Sequence, residues 1–213
     1  MLSISQPLYQ QAYETIKKTI LSGELSPGSK LVTTKMAEQY QISRTPLREA
    51  LRQLQIEGLL ISTHNGMEVV TLDKEDFEHL SHCRLVLEKD IIIYIVKAIS
   101  DEEIKQLELI VEEAEEACET KENMKLLELN TLFHSKLHES CSNKRLVQLL
   151  NQVRSLLLIY RANSLTNQTA NKEIIKEHQG LLQAIKNRDV DKALIAVEQH
   201  LENDIKRAET VIK

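Results

Sequence analysis

The sequence predicts a mainly α-helical chain in two parts, a small N-terminal part with a β-hairpin and a longer C-terminal all-α antiparallel helical bundle. Three observations lead there. Glycine (5) and proline (3) are scarce for a chain of 213 residues, which leaves few turns and favours long helices. All three prolines (Pro7, Pro27, Pro46) and four of the five glycines (Gly23, Gly28, Gly58, Gly66) lie in the first 66 residues, so the composition changes there. After residue 73, apolar residues recur with helical period through six successive segments.

Taken in order, Leu8 to Leu21 reads as a helix stopped by Ser22-Gly23, Ser26-Pro27-Gly28 as a turn, and Lys30 to Val32 as a short strand. Thr33 to Tyr40 forms a second helix. Only Gln41-Ile42 separates it from Ser43, an N-cap residue opening a third helix that runs to Glu57 and stops at Gly58. Pro46 falls in that helix's first turn, where the missing N–H has no cost. Leu59 to Ser62 and Met67 to Thr71 are rich in β-formers and join through Asn65-Gly66, a hairpin signal. The outline is a winged helix-turn-helix over 1–72.

Residues 73–213 read as helices at 74–99, 101–120, 123–141, 143–163, 170–187 and 189–211. Residues 1–72 carry seven basic and six acidic side chains, so the acidity behind the net charge of −5 belongs to the second part. The longest apolar run, Ile91 to Val96, is six residues, against about 20 for a membrane helix. With no signal-peptide pattern at the start, the expected location is the cytoplasm. Cys83, Cys118 and Cys141 are odd in number and far apart, which excludes a disulfide framework and leaves buried small hydrophobes.

In the third helix, Leu47, Ala50, Leu51 and Leu54 share one stripe, and Arg44, Gln55, Arg48, Arg52 and Thr45 fill the sector of about 100° beside it. Arginine makes bidentate contacts to guanine and clamps phosphates, and an α-helix fits the major groove, so this flank suits DNA reading. On an isolated helix it would read equally as a solvated face; the turn-linked partner helix and the Asn-Gly wing favour DNA. The stretch from Met36 to Leu60, with its SRTPLREAL core and Glu57-Gly58-Leu59, resembles the DNA-binding signature of the GntR family of bacterial transcriptional regulators. The resemblance implies base contacts from Arg44 and Arg48. It further implies that Ser43, Thr45 and Pro46 lie at the phosphate or groove edge, and that His64 and Gly66 approach the minor groove. Where the family usually has Arg or Asn in the preceding helix, this chain has Thr34 with Lys35 beside it.

In the bundle, Leu80, Cys83, Leu87, Ile91, Tyr94 and Ala98 define a core stripe of the first helix, with Arg84 among them. A buried arginine needs a partner; an i,i+4 bridge to Glu88 on a half-exposed face and a ligand-binding role both account for it. Asn130, His134 and His138 follow at i, i+4 and i+8 beside the stripe of Leu126, Leu129, Phe133 and Leu137. His178 sits within Ile174, Leu181 and Ile185, and His200 borders Ala193, Val197 and Leu201. Imidazoles with an oxygen donor suit Zn, Ni or Mn, while each histidine taken singly reads equally as a hydrogen-bonded core residue.

The order Asn130-x-x-x-His134, Glu177-His178 before an apolar helix, and His200 in the last helix is similar to the FCD effector domain of the FadR-like branch of the GntR family. The short second part resembles its VanR-like members. The resemblance implies a divalent metal at Asn130, His134, His178 and His200, a small carboxylate effector coordinating it, and Arg84 facing the effector pocket. The family has Asp where this chain has Asn130, a neutral and weaker donor, which makes a three-histidine site or none an alternative. His138 is a spare histidine, second to the set or solvent-facing.

The leading functional expectation is a ligand-responsive transcriptional repressor, a homodimer on a palindromic operator in double-stranded DNA. A metal-free carboxylate sensor with the same DNA output is the alternative. A metal-dependent hydrolase is remote: Ser135, Lys136 and Leu137 between His134 and His138 include no glutamate base, and no G-x-S-x-G, P-loop or dinucleotide fingerprint occurs.

Overall fold

A computed structural model of the chain describes residues 6–64, 66–71, 73–161 and 168–209. The expected junction residue Leu72, the turn residue Asn65 and the last residues of the 143–163 and 189–211 helices lie outside the described residues. The elements run α1 (Leu8–Leu21), β1 (Lys30–Leu31), α2 (Thr33–Gln39), α3 (Arg44–Ile56), β2 (Leu60–Thr63) and β3 (Gly66–Val69). They continue as α4 (Lys74–Ala98), α5 (Asp101–Glu119), α6 (Asn123–Glu139), α7 (Lys144–Arg161), α8 (Gln168–Lys186) and α9 (Val190–Glu209). The fold is mainly helical, with one small antiparallel sheet ordered β1-β3-β2.

Contacts divide the chain into two compact units. Among the described residues, the first comprises those up to Phe77 together with 155–161, and the second comprises 78–154 and 168–209. Composition alone places the cut at 72/73. The structure assigns the start of α4 and the C-terminal part of α7 to the first unit.

In that unit Ile16 and Ile20 of α1, Leu47, Leu51 and Leu54 of α3, Leu60 and Val69 of the sheet and Ile159 of α7 form one buried core. The sheet pairs Leu60 with Val69 and Thr63 with Gly66 across the wing, and Lys30 with Glu68 on the other edge. The turn between α2 and α3 is closed by Ile42 N–H donating to the Ala37 carbonyl at 3.1 Å, with Gln41 left-handed at φ 53°. Lys121 after α5 and Arg188 after α8 adopt the same conformation, at φ 62° and 56°. At the end of α3 the same device uses Gly58 (φ 78°), where an added Cβ would stand 3.6 Å from Leu156. Ser43 occupies the N-cap of α3 as expected but its side chain makes no capping bond, whereas Ser100 and Glu103 form a reciprocal capping box at α5.

The second unit packs α4, α5, α6, α8 and α9 with the N-terminal part of α7 around Ile91, Ile95, Leu107, Phe133, Leu181 and Val197, among others. Two expectations are corrected here. In this unit the buried positions of α4 include Ser81, Arg84, Glu88, Ile91 and Ile95, continued by Ile99 just after its end, one residue round from the predicted stripe, while Tyr94 and Ala98 are exposed. Cys83 is exposed for the same reason, leaving Cys118 and Cys141 as the buried cysteines. The physical cause is that the inward face carries a polar segment, Ser81-Arg84-Glu88, which an apolar period cannot detect. Among the described residues no helix is long and apolar enough to cross a membrane.

Candidate metal centre and nucleic-acid interface

On α3, Leu47, Ala50, Leu51 and Leu54 are buried, so the opposite flank faces outward with Arg44, Thr45, Arg48 and Arg52 exposed. Ser43, Thr34, Lys35, His64 and Gly66 are exposed too, and Pro46 is half-buried. Gln55, on the same flank, donates from Nε2 to Ser62 Oγ at 3.3 Å and ties the helix to β2. Glu57 at the helix end is held by Lys17 (2.7 Å) and Tyr13 (2.6 Å). Burial alone would raise its pKa, but these donors hold it below the ordinary carboxylate value. Its charge is thereby neutralised locally rather than left to repel a phosphate backbone.

In the second unit, His134 of α6, His178 of α8 and His200 of α9 are 1%, 3% and 1% exposed. Each offers a nitrogen within 4.8 Å of the other two. Their ring centroids form a nearly equilateral triangle, 5.0 Å from His134 to His178, 5.2 Å from His134 to His200 and 5.0 Å from His178 to His200. Phe133 stacks on His178 at 4.1 Å and fixes its plane. Burial, followed by the positive charge of Arg154, pushes the His134 pKa well down, so His134 is the neutral imidazole that a metal requires.

His200 is oriented by Glu177: its Nδ1 lies 2.7 Å from Glu177 Oε2, which makes Nδ1 the protonated nitrogen and turns Nε2 toward the cluster. Glu177 in turn accepts from Asn203 (2.7 Å) and from both terminal nitrogens of Arg207 (3.0 and 2.9 Å). Although burial would raise its pKa, the bonds to His200, Arg207 and Asn203 bring it down to about 2.

Both nitrogens of His134, Nε2 of His200 and Oδ1 of Asn130 are buried without a hydrogen-bond partner. Buried polar atoms are ordinarily satisfied, so unspent donors-to-metal on neighbouring side chains fit a cation. Asn130 stands one turn before His134, and with His178 it lines a largely apolar cleft among α5, α6 and α8, walled by Val111, Leu126 and Ile174. The three histidines named by the resemblance thus meet in one cluster, and Asn130 lies one turn from His134 in a cleft that His178 also lines.

Arg84 is 6% exposed, so the half-exposed face expected for its bridge to Glu88 is corrected to a buried one. The i,i+4 bridge to Glu88 exists at 2.7 Å, but on a buried face, and a second bond of 2.9 Å reaches Asp204 of α9. These carboxylates outweigh the effect of burial and raise its pKa further. One terminal nitrogen, Nη2, is left without a partner.

His138 is buried at 1%, not solvent-facing. Arg154 of α7 donates to its Nδ1 at 3.1 Å, so Nε2 carries the proton and faces Glu88 at 3.7 Å. Glu88, His134 and His138 also satisfy metal-group distances. Two guanidiniums already hold that set's outer members, which makes it hostile to a further cation. The supports Asp204, Arg154 and Arg207 escaped the sequence argument, and Glu177 stood in the Glu177-His178 motif without a role; the i,i+4 and i,i+7 spacing of Asp204 and Arg207 from His200 was the available signal.

Residues 8–69 match the family model of bacterial regulatory proteins, gntR family, and residues 79–203 match the FCD domain. The chain is 29% identical over 209 residues to an uncharacterized HTH-type transcriptional regulator, YdhC, of Bacillus subtilis (strain 168), covering 97% of this chain and 93% of the relative. It is 25% identical to the gluconate operon transcriptional repressor of Bacillus licheniformis, over 88% of this chain and 79% of that protein. Among solved structures, E. coli McbR/YncC superposes with a TM-score of 0.85 at 22% identity, covering 97% of this chain and 99% of the other, a likeness of fold.

Proposed function

Since the chain belongs to the gntR family of bacterial regulatory proteins and carries an FCD domain, it is a transcriptional regulator rather than an enzyme, and we propose that it is a metal-assisted, carboxylate-responsive repressor. In this reading it acts in the cytoplasm as a homodimer on a palindromic operator. Arg44 and Arg48 read bases, Arg52, Ser43, Thr45, Pro46, Thr34 and Lys35 position the helix on the backbone, and His64 and Gly66 lie along the minor groove.

The observation that carries the metal is the triangle of buried imidazoles, together with the unspent nitrogens of His134 and Nε2 of His200. His134, His178 and His200 would hold the ion, with Asn130 Oδ1 as a neutral fourth donor. A bound divalent ion supplies a Lewis-acidic position for an effector carboxylate. The chain's own part is to hold three imidazoles neutral and oriented, with Glu177 fixing His200, and to keep the cluster dry. The paired state of Arg84 supports a role in building this pocket, with only its Nη2 left to meet an effector. Effector binding then has to favour one state of the DNA-binding unit over another to change operator occupancy.

Elemental analysis of untagged wild type beside His134→Ala, without chelator, tests the metal. About one equivalent, lost in the variant, is expected. A wild-type chain that takes up no Zn, Ni or Mn overturns the metal and leaves the metal-free sensor.

A further inference from the structure

Among the described residues, six charged side chains are linked to the imidazole cluster: Arg84 and Glu88 from α4, Arg154 from α7, Glu177 from α8, and Asp204 and Arg207 from α9. They are interlocked. Arg84 binds Glu88 (2.7 Å) and Asp204 (2.9 Å), and Arg207 binds Glu177 (2.9 Å) and Asp204 (3.2 Å). Arg154 bonds His138, whose other nitrogen faces Glu88 at 3.7 Å. The three guanidiniums and three carboxylates of this described set cancel, so the set itself has no net charge to offer an ion. Asn130 contributes none either, and the three imidazoles are neutral as ligands.

A divalent ion held here keeps its full double charge in a region where His134 and His200 are 1% exposed. Uncompensated charge in such a place is strongly disfavoured. The compensation has to arrive with the effector. Resting on the metal reading above, we propose that the effector of this chain is a dianion, a small dicarboxylate that chelates the ion through two carboxylate oxygens, because only a double negative charge returns the cluster to neutrality. An aspartate at position 130 would halve the demand and suit a monoanion. Asn130 is therefore the residue that sets effector charge.

The test is isothermal calorimetry of the full-length, zinc-loaded chain with oxalate and glycolate. Both are two-carbon ligands that close a five-membered chelate ring, and they differ in charge. Wild type is expected to bind oxalate more tightly. The decisive quantity is how the oxalate-to-glycolate affinity ratio moves. Asn130→Asp lowers it by at least roughly tenfold, the scale of one unit charge a few ångström away in a protein-like dielectric. Asp204→Asn removes a negative charge and raises the ratio, which reads the same balance from the other side if Asn130→Asp does not fold. Melting curves verify folding, and zinc is re-measured after each titration. Oxalate no tighter than glycolate in wild type, or a ratio that neither variant moves, overturns the proposal. Zinc analysis before any ligand is added separates the two readings. A chain without zinc fails the metal reading and this proposal together, while a loaded chain with an unmoved ratio fails this proposal alone.

Discussion

Replacing Arg84 by methionine keeps much of the side chain's length and apolar stem while removing its charge. In the folded chain that charge lies between Glu88, which is 1% exposed, and Asp204, which is 7% exposed. Asp204 retains Arg207 at 3.2 Å, but Glu88 is left with only His138 at 3.7 Å. Glu88 then becomes a buried carboxylate without a cation in hydrogen-bond range. Breaking a buried pair by removing one partner typically costs about 3–5 kcal/mol. Against a total stability of roughly 5–15 kcal/mol, that is a large fraction. At roughly 2–4 °C per kcal/mol for a chain of this size, the melting midpoint falls by about 6–20 °C. The assay is urea unfolding followed by circular dichroism, with metal and effector absent so that neither masks the effect. The second substitution Glu88→Gln in the same chain should recover part of the loss, because the stranded charge is gone. An arginine that served only an effector would leave the effector-free protein unchanged. An unaltered urea midpoint in Arg84→Met therefore refutes the structural role argued for it.

Three further outcomes are expected. Arg48→Ala should weaken operator binding by about 1–3 kcal/mol in a gel-shift titration while leaving the melting curve in place; wild-type affinity in the variant would remove Arg48 from the base-reading set. Glu177→Gln deprives His200 of its charged partner, and a competition titration with a chromophoric chelator should show metal affinity down about 10–100-fold, whereas unchanged affinity would mean that Glu177 does not orient the ligand. At Glu57 the folded pKa is depressed, so its contribution is complete above the ordinary value of 4.5 and is lost as pH falls below it; Lys17, whose pKa is raised, contributes below its ordinary 10.5 and loses that as pH rises. Glu57→Gln should cost about 1–2 kcal/mol at neutral pH and flatten the acid limb of the stability profile, and an acid limb identical to wild type would show that the cluster is not the cause.

The helices were legible because their ends are marked by polar and turn residues. Leu8 to Leu21 was read to the residue, and Ser100, Lys121 and Asp189 mark ends where the structure has a cap or a turn. The inward face of α4 was not legible, since Ser81, Arg84 and Glu88 interrupt its apolar period and pushed the reading one residue round. Nothing in the run through α7 marks that Leu156 and Ile159 join the core of the first unit, because apolar period is continuous across the change. The histidines could be found since two positions, Asn130 and His134, share a helix face and the rest followed from the resemblance. Their links across the bundle could not, because those join distant segments: Arg84 and Asp204 are 120 residues apart, and Arg154 and His138 sit on different helices. Spacing rules see within one helix; charge compensation across a bundle leaves no periodic trace.

The left-handed stops at Gln41, Lys121 and Arg188 have a consequence for engineering. A side chain in that conformation costs about 1–2 kcal/mol relative to glycine, only part of which is regained because glycine also loosens the unfolded chain. A protein with five glycines has thus left thermal tolerance unclaimed at the ends of α2 and α5. Lys121→Gly changes a residue of the second unit while α3 belongs to the first, so hardening the chain against heat need not alter the side chains proposed to meet an operator; Arg188 is better kept, because its guanidinium donates to the Val96 carbonyl at 3.2 Å.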